Sequence, residues 1–443
     1  MTAAITAEPV PLLEVTDLST HFHTEEGVLR AVDGVSFQLG RGRTLALVGE
    51  SGCGKSVTAQ SVLRLIHPPG RIVGGSVRLH RGPGEEPLEV LEERESSRAL
   101  FELRGGRVAF IFQEATASLS PVHTLGNQLL EAIRTHQKLS KKQATAMALE
   151  MLERVGIEDP ELCLRQYPHE LSGGMRQRVA IALALVSSPE LVIADEPTTA
   201  LDVTIQAQVL ALLKSLQRTL DLAILLITHD LGVVAQLADE VVVMYLGRVV
   251  ESGPVRAILK KPRHPYTMGL LESLPSLTAI GKRLPSIRGS VPALSDIPPG
   301  CPFHPRCNYA VAGRCNVGAP PPLERFTAPG ASSSSASSSP EERFVSCWRT
   351  REVALERLMQ RPAELTPSEP PPAVHEAEDH SERITQTAAP PAVGLIPGYD
   401  QGYDRAVEKL PESKTEAEWF DSSDLVSDRE GGSDGNEGKE PGS

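Results

Sequence analysis

Gly49-Glu50-Ser51-Gly52-Cys53-Gly54-Lys55-Ser56 stands between a compact apolar run, Thr44 to Val48, and a segment that reads as a helix from Gly54 to about Ile66. The octet fits G-x-x-x-x-G-K-[ST], and the strand before it and the helix after it supply the context that gives the pattern its meaning. Its glycines let successive backbone N–H groups curl around phosphate oxygens, and the helix N-terminus turns its positive dipole end to the same place. Lys55 then reaches the β- and γ-phosphates of a nucleotide, and Ser56 offers a hydroxyl to Mg²⁺.

A second stretch supplies the other half of such a site. Leu191-Val192-Ile193-Ala194-Asp195-Glu196 sets four apolar residues before two carboxylates. Asp195 is expected to hold the metal through water, and Glu196, at the strand end, to polarise the water that attacks the γ-phosphorus as the catalytic base.

Leu191 to Ala194, Ala223 to Ile227 and Val241 to Met244 are apolar runs alternating with helical stretches, the pattern of strands buried in a mostly parallel sheet. Leu12 to Val15, Gly34 to Leu39 and Val108 to Phe112 read as further short strands. The Gly-, Arg- and Glu-rich stretch from Gly70 to Gly106 suits an antiparallel ribbon and its loops. Between Glu114 and Ser172 the pattern turns helical, with Met147, Leu149, Met151, Leu152 and Val155 inward and Lys141, Lys142 and Glu150 outward.

One glycine-rich loop could arise by chance or in a kinase-like fold. Leu171-Ser172-Gly173-Gly174-Met175 adds a helix start with a serine cap and two small residues, where exposed N–H groups can meet another phosphate. Here the sequence resembles the ATP-binding cassette (ABC) family, whose LSGGQ signature appears as LSGGM. Gln113 matches that family's Q-loop, Leu201 and Asp202 its D-loop and His229 its switch histidine, all in the family's order from Leu12 to about Gly253.

The resemblance implies an α/β fold: a P-loop NTPase core of the ABC type, a mixed sheet with an antiparallel β subdomain and a helical subdomain at about 114–178, within an ATPase domain spanning 12–255. It implies that ATP is bound by Gly49, Glu50, Ser51, Gly52, Cys53, Gly54, Lys55, Ser56 and Val57. Phe22 is the implied adenine-stacking aromatic, though between Thr20, His21 and His23 it equally reads as a strand residue packing inward. Gln113 would contact Mg²⁺ and the lytic water, His229 the γ-phosphate. Two such domains face head to tail in the family, each nucleotide lying between the P-loop of one and Ser172, Gly173, Gly174, Met175 and Asp202 of the other. Met175 departs from the commoner glutamine, which leaves the serine and glycine contacts intact.

Further along, Pro262-Arg263-His264-Pro265-Tyr266-Thr267 and Gly300-Cys301-Pro302-Phe303-His304-Pro305-Arg306-Cys307 look like the peptide-importer ATPases. Ile111 to Pro121 and Tyr167 to Glu170 resemble the dipeptide, oligopeptide and nickel importers, in segments that face membrane subunits. The resemblance thus implies a second ATPase subunit, commonly a different chain, two transmembrane permease subunits and an extracytoplasmic substrate-binding protein. Cargo is expected to be a peptide, with nickel or another solute as the alternative.

Cys301, Cys307, Cys315 and Cys347 are spaced unlike the tight pairs of structural zinc sites. Four thiolates also suit an iron–sulfur cluster. The resemblance puts a [4Fe–4S] cluster first, Zn²⁺ second and free thiols third, in a C-terminal extension spanning 256–350. The Ser-rich run Ala331 to Pro340 reads as a flexible loop inside that module; doubling a loop's length adds only about 0.6 kcal/mol to its closure. Cys53 and Cys163 are not expected to be ligands.

The formal net charge is −13, and between Arg351 and Ser443 nine basic residues face twenty-one acidic ones. The remainder is nearly neutral, so neither part carries the basic footprint of a nucleic-acid binder. The 351–443 tail, dominated by Pro, Glu, Asp, Ser and Gly, is expected to be disordered. Met1 to Pro11 lacks the basic flank and apolar run of a signal peptide, and no window approaches the roughly 18 apolar residues of a membrane span. A peripheral place at the cytoplasmic face of the membrane is expected. Two other readings compete: a non-transport ABC ATPase acting on ribosomes or DNA, which would carry tandem cassettes or coiled-coil insertions, and a regulator sensing redox state or metal through its cysteines.

Overall fold

The computed structural model describes residues 10–353, apart from 83, 114–117, 200, 274–285 and 327–341. The Ser-rich run, residues 114–117 of the Q-loop segment and the acidic tail from 354 onward lie outside the described residues.

Twelve described strands form two sheets. β1 (Leu13–Thr24), β2 (Gly27–Leu39), β4 (Gly70–Leu79) and β5 (Leu88–Glu89) make an antiparallel sheet in the order β2-β1-β4-β5. The larger sheet combines β3 (Thr44–Val48), β6 (Val108–Ile111), β7 (Leu191–Asp195), β8 (Ala223–Thr228), β9 (Glu240–Tyr245), β10 (Arg248–Pro254), β11 (Glu324–Arg325) and β12 (Phe344–Val345). Its order is β11-β12-β10-β9-β3-β8-β7-β6, parallel from β9 through β6 and antiparallel beyond.

The parallel strands read as unbroken apolar runs because both of their faces are covered. Along β3, Ala46 and Val48 enter one core while Leu45 and Leu47 enter the other. In β8 the same alternation sends Ile224 and Leu226 one way and Leu225 and Ile227 the other. The first core is filled by helices, the second by the inner face of the antiparallel sheet.

Ten helices are described: α1 (Lys55–Val62), α2 (Arg98–Leu103), α3 (Leu125–His136), α4 (Lys141–Arg154), α5 (Pro160–Arg165), α6 (Gly173–Leu185), α7 (Val203–Thr219), α8 (Leu231–Leu237), α9 (Val255–Lys260) and α10 (Pro265–Glu272). Polar side chains satisfy many of their orphan N–H groups. Thr124 caps α3, Ser140 and Gln143 form a reciprocal capping box on α4, and Asp159 caps α5. On α4 the buried stripe runs through Ala144, Ala148, Met151 and Leu152 to Val155, while Leu149 stands at its half-exposed margin.

Three elements differ from the sequence expectation. β1 and β2 extend far beyond Leu12 to Val15 and Gly34 to Leu39, because register shifts between Val15 and His21 interrupt the alternation that marks a strand. The first helix ends at Val62, four residues early, where Arg64 adopts a left-handed turn. Helix α2 was not foreseen: six residues capped by Ser97 are too short to show a helical period.

The C-terminal extension is stitched into the larger sheet. Val345 and Phe344 pair with Glu251 and Ser252 of β10. Beneath them Glu251, fully buried, accepts the N–H groups of Arg263 and His264 at 2.9 Å each and meets Arg343 at 3.3 Å. Tyr266, Leu271, Phe303 and Cys307 join the first core.

Candidate active site

The phosphate loop leaves β3 and enters α1. Two of its glycines have no room for a side chain: a Cβ on Gly49 would lie 2.4 Å from the Met244 carbonyl, and one on Gly54, at φ 99°, 2.2 Å from the Ala31 carbonyl. The loop is thereby pressed against β9 and β2, with Gly247 donating to the Cys53 carbonyl at 3.0 Å. Cys53 is buried, its thiol pushed up by burial, and Val57 packs against the second core. Lys55 is 5% exposed and arches back to donate to the Gly49 and Glu50 carbonyls at 2.8 and 3.0 Å.

The two halves read from the sequence meet. Ser56 Oγ donates to Asp195 Oδ1 at 3.0 Å, bringing the hydroxyl and carboxylate expected of a Mg²⁺ site together across 139 residues. Burial pushes the Asp195 carboxyl above its ordinary value, and Glu196 adds to this, while the Ser56 bond and Lys55 pull the other way. A carboxyl whose folded pKa is raised opposes folding once pH exceeds its unfolded value near 4, and that opposition is complete above the folded pKa. Asp195→Asn is therefore expected to raise the melting temperature measured without divalent cation at pH 7. It should also remove the additional stabilisation by Mg²⁺–ADP over ADP, so a lower melting point for this variant would contradict the account.

Glu196 follows directly, at φ 46°, with its N–H donated to the Ile227 carbonyl at 2.9 Å. Three side chains from three segments converge on its carboxylate. Gln113 Nε2 donates to Oε2 at 3.2 Å, Thr199 Oγ1 to Oε2 at 2.9 Å, and His229 Nδ1 lies 3.1 Å from Oε1. Burial opposes ionisation of Glu196, yet the hydrogen bonds from His229 and Thr199 and the nearby charge of Lys55 outweigh it and hold the carboxyl below its usual range. It is anionic at neutral pH and can accept a proton from water. The Gln113 amide is turned to this carboxylate; Thr199 was missed because a lone threonine carries no spacing signal.

The signature segment faces elsewhere. Ser172 caps α6, accepting the Met175 N–H at 3.3 Å, and Ser172, Gly173 and Met175 are exposed. A Cβ on Gly173 would meet nothing within 4 Å, which leaves that helix start open to a ligand or a partner surface. Asp202 caps α7 through the Ile205 N–H at 2.9 Å, close behind the half-exposed Leu201. Phe22, on β1 between Leu29 and Gly70, is half-buried, and a Cβ on Gly70 would lie 2.7 Å from its ring.

Cys301, Cys307, Cys315 and Cys347 line one small cavity together with Tyr309 and Trp348. Burial, with contributions from the neighbouring thiols, pushes Cys301 up to about 12 and Cys307 up to about 11, and raises Cys347. Backbone N–H groups of Tyr309 and Arg349 donate to the sulfurs of Cys307 and Cys347, each at 3.4 Å. Among the described residues no three His, Cys, Asp or Glu side chains converge closely enough to hold a single metal ion. Nor is any described helix long and apolar enough to cross a membrane.

Residues 32–199 match the ABC transporter family, and residues 250–315 match the oligopeptide/dipeptide transporter C-terminal region. A probable peptide ABC transporter ATP-binding protein of Sinorhizobium fredii is 48% identical over 344 residues, covering 77% of this chain and 96% of that one. A putative peptide import ATP-binding protein of Brucella melitensis is 48% identical over 319 residues, covering 70% and 93%. A dimeric ATP-binding cassette solved in a post-hydrolysis state with ADP and Pi aligns at 24% identity and a TM-score of 0.48, covering 55% of this chain and 99% of that one. The two matched regions, and relatives aligned over nearly their whole length, show that this chain belongs to the ABC transporter ATP-binding proteins, whose cassette couples ATP hydrolysis to transport.

Proposed function

We propose that this chain is the ATP-hydrolysing motor of a peptide importer, seated at the cytoplasmic face of the membrane against two permease subunits. The observation that carries the site reading is the convergence of Gln113, Thr199 and His229 on Glu196 beside the Ser56–Asp195 pair. The peptide assignment rests on the relatives' names and on the matched C-terminal region.

In this reading the loop from Gly49 to Ser56 and Lys55 bind the β- and γ-phosphates, and Ser56 and Asp195 would hold Mg²⁺, which would supply charge neutralisation there. Glu196, kept anionic by its neighbours, accepts a proton from the attacking water while Gln113 and His229 orient the carboxylate. Ser172 and Gly173, open at the start of α6, meet the nucleotide of a second ATPase subunit, itself a different chain. A substrate-binding protein delivers the peptide from outside.

For the four cysteines this reading places a [4Fe–4S] cluster ahead of Zn²⁺, a ranking that rests on the resemblance and is supported by their shared cavity. A zinc ion draws four sulfurs to one point at about 2.3 Å each, whereas a cluster carries each thiolate on a separate iron and needs them around a cavity. Two sulfurs already accept backbone N–H groups, as iron-bound thiolates do. The protein purified without oxygen together with its membrane partners tests the whole reading. Permeases are expected to copurify, peptide and its binding protein to stimulate ATP turnover, and iron rather than zinc to be found and to be lost in Cys307→Ser. Stoichiometric zinc would replace the cluster reading; turnover indifferent to every peptide would replace the cargo.

A further inference from the structure

The phosphate loop carries a carboxylate of its own. Glu50 is its second residue, adjacent to the place where a nucleotide's negative charge gathers, and an uncompensated anion there would repel the phosphates. The structure holds every polar group of this residue. Its N–H is donated to Tyr266 Oη at 2.8 Å, and its carbonyl accepts Lys55 Nζ at 3.0 Å. Its carboxylate is forked by Arg306, Nη1 to Oε2 at 2.6 Å and Nη2 to Oε1 at 2.9 Å.

Arg306 belongs to the cysteine module, one residue before Cys307 and 256 residues from Glu50. It is 5% exposed, and its Nε is anchored on the Arg288 carbonyl at 3.1 Å. Arg288 in turn donates to the Cys307 carbonyl at 2.5 Å. A guanidinium so placed is preorganised for a planar, two-pronged carboxylate contact.

We propose that Arg306 is a positioning residue of the ATP site: it cancels the charge of Glu50 and fixes the first turn of the phosphate loop, so that nucleotide affinity depends on the cysteine module. The function of the extension thereby reaches the ATPase directly, through one ion pair, as well as through the sheet.

The inference rests on the ATP-site reading above, and a nucleotide-binding and turnover series on the assembled transporter separates the two. Arg306→Gln is expected to raise KM for ATP about tenfold, equivalent to ~1.4 kcal/mol, with kcat within about a factor of two, and the effect should shrink at high salt. Adding Glu50→Gln to that variant removes the exposed anion and should return KM to within about threefold of wild type. An unchanged KM in Arg306→Gln, a loss confined to kcat, or a double variant as impaired as the single one overturns the proposal. If Arg306→Gln shows no melting transition, the double variant, with no charge left unpaired, decides alone, and a KM well above wild type there is the negative result. Lys55→Ala is the control: undiminished ATP binding in that variant would indict the ATP-site reading itself.

Discussion

Glu196→Gln is expected to slow ATP turnover by about 10²- to 10³-fold while leaving nucleotide binding intact. The substitution keeps the size and shape of the side chain and an oxygen able to accept from Gln113 and Thr199, and removes the negative charge that, in the proposed mechanism, takes a proton from water. A positioned general base contributes roughly 10²- to 10⁴-fold; the contacts from Gln113 and Thr199 to the retained oxygen remain, while the new amide N–H group faces His229 Nδ1 as a donor. Chains that bind but do not cleave should accumulate as closed pairs with ATP held across two subunits. Single-turnover hydrolysis in the assembled transporter is the measurement, and turnover within threefold of wild type would remove Glu196 from its assigned role.

The second large effect is on stability. Glu251→Ala removes a buried carboxylate that satisfies two backbone N–H groups and an arginine at once. Each buried donor deprived of its acceptor costs about 1–3 kcal/mol, and breaking a buried ion pair from one side about 3–5 kcal/mol. A loss of about 3–5 kcal/mol in denaturant unfolding is therefore expected, with β12, the strand just before Cys347, released from β10 first. Protease nicking close to Phe344 and Val345 that outpaces cleavage elsewhere would register that release. A loss below about 1 kcal/mol would mean that the carboxylate is dispensable to the join.

The parts of the site that proved legible beforehand are those whose chemistry is written locally. A glycine loop with Lys55 and Ser56, two carboxylates after an apolar strand, and a serine before two glycines each declare themselves within eight residues, because neighbours in sequence carry the whole pattern. Thr199, Tyr266 and Arg306 stayed hidden for the opposite reason. Tyr266 and Arg306 act by reaching another segment, across 216 and 256 residues, and only the fold brings those pairs together, whereas Thr199 reaches Glu196 from three residues on with no pattern to mark it. Strand lengths failed for a third reason: bulges in β1 scramble the alternation by which a strand is recognised. The cysteines fell between these cases, since their grouping after Gly300 was visible while their common cavity was not.

The left-handed backbone of Glu196 has a consequence for how such a chain evolves. A bulky side chain at φ 46° costs of the order of 1–3 kcal/mol relative to a relaxed conformation, and glycine or asparagine would sit there more comfortably. With the role proposed for Glu196, heat tolerance and chemistry pull on position 196 in opposite directions. A population screened only for survival at high temperature would tend to discard the glutamate, and its hardiest members would be idle.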